Sequence, residues 1–374
     1  MADTQIDYMV KQGMYLDTCL FVCHNNDAER NYTNKEGAHM TQNVGILTME
    51  QRAMIREVGF VHFMSISTFA ASMGYCGLCF GWRYAHQLWG LPAAVGETFG
   101  FIAICLYILI LFQYMRKLTL DFETVRAELH SPTNVAFFGT FTVSTVLLAA
   151  VLAPYHHAVA SVFWWIAMIL ILFFGWALLT HWLLERQRIS NVTPAWLLPV
   201  LGPITIPVAG NILMNPGYHD ISIICVAIGI VTSIPVIALL LVRCIIGKPL
   251  ADAAQPSLMI LMAPFGMGFI TYTDTFGFDN FALMFISAGI FLLPPIAIKV
   301  ASVMMRSPFR MGWWATSFPS MAFTNGILKL STVYPTWWTH ALGVLFLVVS
   351  SSLILWLTWK TGQAIIQKRL WMLY

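Results

Sequence analysis

The chain has 374 residues, of which 58% are hydrophobic and only 10% charged, and its mean hydropathy is +0.72. A soluble globular domain carries about 25% charged residues, so that class is excluded and an integral membrane protein remains. The net charge of +3 is too small to point to nucleic acid, and no such partner is expected.

Residues 1–57 mix polar and charged side chains with no long apolar run, which predicts a partly disordered cytoplasmic segment and no cleaved leader. Within it, residues 48–57 begin on Thr48 and alternate faces, the pattern of a short amphipathic helix. Residues 58–362 form the membrane domain. Ten apolar runs lie in it, near 58–80, 93–115, 133–153, 158–183, 195–214, 220–245, 257–275, 279–305, 311–333 and 337–361. Each can cross about 30 Å of hydrocarbon at about 1.5 Å per helical residue. Residues 363–374 are a cytoplasmic tail.

Even-numbered runs such as Ala103 to Phe112 are uniformly apolar and suit a lipid-facing ring. Odd-numbered runs are rich in hydroxyls, glycine and proline, which permit close helix approach and bent backbone. Their regular recurrence reads as a loose five-fold repeat of a helical hairpin. The expected fold is therefore all-α, with ten transmembrane helices as five hairpins in a quasi-five-fold arrangement. Pro203, Pro264 and Pro319 are the expected helix kinks, and Ser72, Thr140, Thr205, Thr271 and Ser320 the expected lining of a path walled by the odd runs.

Every lysine and arginine except Arg83 and Lys329 falls in the amino-terminal segment, at the far end of an even run or in the connection after it, or in the tail. The positive-inside rule then puts both termini in the cytoplasm of a multi-pass cell-membrane protein, with outer turns near Tyr155, Tyr218, Phe278 and Pro335.

Chemistry that needs fixed charge is scarce. No Asp, Glu, His or Lys sits at the centre of a run, which argues against acid-base catalysis in the bilayer and against a carboxylate proton relay. Cys76 and Cys79 have metal spacing but no companion pair, and read as small packing residues. His156, His157, His219 and His340 lie near outer turns, where solvation explains them. No cofactor, metal or enzymatic activity is expected. What remains is a path of hydroxyls, glycines and bent backbone, whose partial positive charges favour an anion without trapping it.

The segment Trp313-Trp314-Ala315-Thr316-Ser317-Phe318-Pro319 resembles the signature of the tellurite-resistance/dicarboxylate transporter family, which includes the slow-type anion channels of plant guard cells. Pro194-Ala195-Trp196-Leu197-Leu198-Pro199, Phe137-Phe138-Gly139-Thr140 and Pro256-Ser257 resemble the openings of other inner helices of that family. The resemblance implies a central pore in each subunit of a homotrimer, odd helices inside, and a phenylalanine of the ninth helix as plug. That role falls on Phe318, with Phe323 as the rival one turn on. The implied function is a channel or permease for small inorganic anions or C4-dicarboxylates. The alternatives are a proton-coupled dicarboxylate transporter and a membrane-embedded metal or haem oxidoreductase.

Overall fold

The computed structural model describes residues 64–215 and 217–367. The expected amphipathic helix at 48–57, the amino-terminal segment and most of the tail lie outside the described residues. Eleven α-helices are described: α1 (Phe69–Trp89), α2 (Ala93–Leu120), α3 (Phe122–His130), α4 (Phe138–Leu152), α5 (His157–Leu184), α6 (Leu197–Leu213), α7 (Tyr218–Ile246), α8 (Ala263–Phe276), α9 (Asn280–Arg306), α10 (Ser317–Val333) and α11 (Trp337–Ile366). No strand occurs among the described residues.

Eight helices, counted with any lead-in turn, are long and apolar enough to cross a membrane: α2, α4, α5, α6, α7, α8, α9 and α11. Helices α1 and α10 are not among them, because glycine, hydroxyl and aromatic residues, with Arg83 in one and Lys329 in the other, lower their hydropathy. The eight divide sharply by burial. In the most apolar stretch of α4, α6 and α8, 72–89% of residues are buried, against 22–33% in α2, α5, α7, α9 and α11. The second group turns side chains such as Phe101, Phe173, Val231, Phe291 and Val348 outward, as a lipid-facing surface would.

Packing follows the same division. Helices α1, α4, α6, α8 and α10 each pack against the next, and α10 closes back onto α1. Each also packs against the helix that follows its short connection: α2, α5, α7, α9 and α11 respectively. Those connections, 90–92, 153–156, 214–217, 277–279 and 334–336, are tight. Gly90 ends α1 at φ 67°, a left-handed position that glycine adopts without a Cβ penalty. At the start of α9, Asp279 Oδ1 accepts the backbone N–H of Ala282 at 2.9 Å and Oδ2 accepts the Tyr272 hydroxyl at 2.8 Å. The N–H bond first, then the phenol, holds this exposed carboxyl below its ordinary range.

Close approach within the inner ring depends on glycine. A Cβ on Gly77 of α1 would come 2.6 Å from Met321 Cβ of α10. One on Gly266 of α8 would collide with the Ala322 carbonyl, so α8 and α10 meet backbone to backbone.

Three expectations change. The apolar run 58–80 predicts a shorter first helix, but α1 continues to Trp89, because Arg83 finds a carboxylate partner on α2 that hydropathy cannot see. The last helix runs past 361 to Ile366. The apolar runs predict kinks at Pro264 and Pro319, yet each sits in the first turn of an α-helix, where a missing N–H removes no intrahelical bond. The irregularity is a 3₁₀ segment just before them, Gln255–Met262 and Met311–Thr316. Pro203 does lie inside its helix, with Pro207. Mid-helix prolines also occur in the exposed set, Pro235 in α7 and Pro294 and Pro295 in α9, so proline alone does not mark an inner helix.

Candidate functional site

Five of the 3₁₀ segments, Ile66–Thr68, Val135–Phe137, Pro194–Trp196, Gln255–Met262 and Met311–Thr316, lead directly into α1, α4, α6, α8 and α10. Where these lead-ins become α-helix, a cavity of about 50 Å³ opens. It is lined by Ser67, Ala70 and Met73 around α1, Phe137 and Thr140 around α4, Leu198 of α6, Ile260 and Ala263 around α8, and Met311, Gly312, Ala315, Phe318 and Pro319 around α10. Each of the five inner helices contributes at least one residue of its first turn, and four of the lead-ins supply the others except Met73. A helix N-terminus carries roughly half a positive charge, so five first turns around one cavity favour an anion there. No side chain of fixed charge belongs to the lining.

Hydroxyls repair the irregular backbone at this end. Thr140 Oγ1 donates to the Ile66 carbonyl at 3.0 Å and to Phe137 at 2.7 Å. On α10, Ser317 Oγ donates to the Trp314 carbonyl at 2.7 Å and Ser320 Oγ to Thr316 at 2.7 Å. Carbonyls near the proline thus keep partners without water.

Phe318, 3% exposed, is the second residue of α10 and lines the cavity. Phe323 is elsewhere. Its ring stands edge-on to Phe346 of α11 at 5.6 Å, and a Cβ on Gly289 of α9 would come 2.7 Å from it. Among the expected lining residues, Thr140 shares the cavity with Phe318 and Pro319, whereas Ser72, Thr205, Thr271 and Ser320 do not line it. Ser72 Oγ turns to α2 and donates to the Ala103 carbonyl at 3.1 Å, while Thr205 and Thr271 bond their own helix at Gly202 and Met267. The lining residues missed from sequence, such as Met73, Leu198 and Met311, carry no polar signal; their place on a lead-in turn or in the α-helical residues just after it is what unites them.

At the opposite end of the inner ring a larger cavity, about 240 Å³, is lined by Gly210, Asn211, Met214, Asn215, His219 and Asp274. Lys329 Nζ of α10 meets Asp274 Oδ1 of α8 at 2.5 Å. Nearby in the chain's layout, Arg83 holds Glu97 with two bonds of 2.9 and 2.8 Å, and the Tyr155 hydroxyl bonds the same carboxylate, which pushes that phenol above its ordinary value. Arg83 and Lys329, the two basic residues outside the cytoplasmic set, are thus both paired. His157 contacts the Leu213 carbonyl at 2.9 Å and His340 accepts from Trp89 at 3.3 Å, each with its own partner. Cys76 and Cys79 are buried, and Cys79 Sγ packs 3.0 Å from where a Cβ on Gly100 would lie. Among the described residues no three His, Cys, Asp or Glu side chains gather as metal ligands.

Many long apolar helices, the buried ones meeting around a cavity with no fixed charge in its lining, define a multi-pass membrane protein. The voltage-dependent anion channel family, SLAC1, matches residues 63–362, and the chain belongs to that family. It is 26% identical over 180 residues to a tellurite resistance protein TehA homolog of Haemophilus influenzae, covering 46% of this chain and 54% of that protein. It is 22% identical over 300 residues to the S-type anion channel SLAH3 of Arabidopsis thaliana, 77% of this chain and 46% of that one. A sulfite efflux pump SSU1 of Arthroderma benhamiae is 23% identical over 305 residues, 67% of this chain and 78% of the pump.

Proposed function

We propose that the chain is an anion channel or permease that passes small inorganic anions or C4-dicarboxylates down their gradient. In this reading all of α1, α2 and α4 to α11 cross the membrane as five hairpins in quasi-five-fold order. The inner five wall a central pore, and Phe318 plugs it. The protein sits in the cell membrane as a homotrimer with both termini in the cytoplasm. The observation that carries the reading is the cavity lined by Phe318, in which first turns of all five inner helices meet with no fixed charge in the lining. Family membership and the relatives named as an anion channel and a sulfite efflux pump support it.

The direct test is flux from proteoliposomes of purified protein, with chloride, nitrate, sulfite and malate exchanged in turn. Anion efflux that follows the electrochemical gradient is expected. Efflux driven instead by an imposed pH gradient would replace the channel with a proton-coupled carrier.

The orientation has its own test. Tyr155, 62% exposed, and Trp337, 84% exposed, lie at two of the short connections. Cysteines introduced there should react with an impermeant thiol reagent on intact cells; reaction only after lysis would invert the topology.

A further inference from the structure

Phe318, Ala322, Asn325 and Lys329 are spaced four, three and four residues apart, which puts them on one face of α10. Contacts place that face. The Asn325 amide donates to the Gly77 carbonyl of α1 at 3.1 Å, and the Ala322 backbone lies against Gly266 of α8, so the stripe looks between α1 and α8 into the ring. Lys329 stands three turns beyond Phe318, about 16 Å along the axis at about 1.5 Å per residue. Here it bridges to Asp274, which also lines the larger cavity. Both side chains keep contact with solvent, 19% and 28% exposed. One turn below Lys329, Asn325 Oδ1 is buried without a partner.

We propose that Lys329 is the anion-recognising residue of this second mouth, and that Asp274 is a built-in counter-anion which a small inorganic anion displaces to enter or leave. The proposal rests on the pore reading above for its use, but not for its test. A lysine alone would hold an anion and slow its exit; a carboxylate competing for the same ammonium keeps that site shallow. Arg83 does not serve in the same way, because Glu97 holds it in two bonds with Tyr155 on the same carboxylate.

The test uses purified protein in detergent with Cys19, Cys23, Cys105 and Cys244 replaced by serine and a cysteine introduced at Met214, a cavity residue 84% exposed. The readout is the rate ratio of modification by an anionic sulfonate and a cationic trimethylammonium methanethiosulfonate. Asp274→Asn should raise the anion-to-cation ratio about fivefold, because a unit charge about 8 Å away in a water-like dielectric changes the rates of the two oppositely charged reagents by a little over twofold each, in opposite directions. Lys329→Gln should lower it by a similar factor, and Lys329→Arg should restore it. Ratios within twofold of the parent in both neutral variants, whether or not thermal stability falls, would reduce the pair to a tie between α8 and α10. A second measurement needs no charge variant: at constant ionic strength, nitrate should slow the anionic reagent more than gluconate does. Equal slowing overturns the proposal. Because none of this requires conduction, a protein that fails to pass anions would sink the pore reading and leave this result standing.

Discussion

Phe318→Ala should raise anion current by about tenfold or more, the change that removing about 1.4 kcal/mol of barrier produces. Phe318 lines the cavity in which the inner helices meet, and the backbone around it is already satisfied by Thr316, Ser317 and Ser320. The ring therefore occupies space that water and an anion need, and truncation to a methyl group opens it without orphaning a polar group. Phe323→Ala is the built-in contrast. That ring packs on Phe346 and beside Gly289, so its loss should cost about 3–5 kcal/mol of stability and create no current. Currents and detergent unfolding of both variants separate gate from packing. A destabilised Phe318→Ala protein with parental current would assign Phe318 to packing as well.

The second large effect is on stability. Lys117, 1% exposed, donates to Glu128 Oε1 at 2.6 Å and to the Met64 carbonyl at 2.7 Å, and Tyr114 donates to the other Glu128 oxygen at 3.0 Å. This buried pair ties α2 to the short helix α3 and to the entry of α1. Lys117→Met strands a carboxylate in the interior and should cost about 3–5 kcal/mol. Lys117→Met with Glu128→Leu removes both charges and should lie close to the parent, since a hydrophobic pair avoids the desolvation penalty. Chemical unfolding of the two single variants and the double gives the coupling energy. Additive losses in that cycle would show that the two side chains do not act as a pair.

Much of this architecture is legible in composition alone. Ten apolar runs stand out, and most of their limits fall within a few residues of helices, because a segment in hydrocarbon must be both apolar and helical. The alternation of uniformly apolar runs with runs rich in glycine and hydroxyls anticipated which helices are exposed and which are buried. The Trp313 to Pro319 segment pointed to the family that the match over residues 63–362 shows.

What hydropathy misjudged are charges that find partners far along the chain. Arg83 and Lys117 look like loop residues until Glu97 and Glu128 are brought to them, which is why α1 and α2 run longer than their apolar runs. Which way a hydroxyl points was equally hidden. Each inner helix starts with a 3₁₀ segment of about three residues per turn before settling to about 3.6, and the change shifts the phase of every later side chain. Ser72 therefore turns to α2 while Thr140 reaches the cavity. The sequence by itself determined the solvent, the helices and their alternation, because these depend on the average character of each segment. Only the tertiary structure decided the pairing of charges, the facing of Phe318 against Phe323 and the cavity between five first turns, because these depend on atoms that the chain brings together from distant positions.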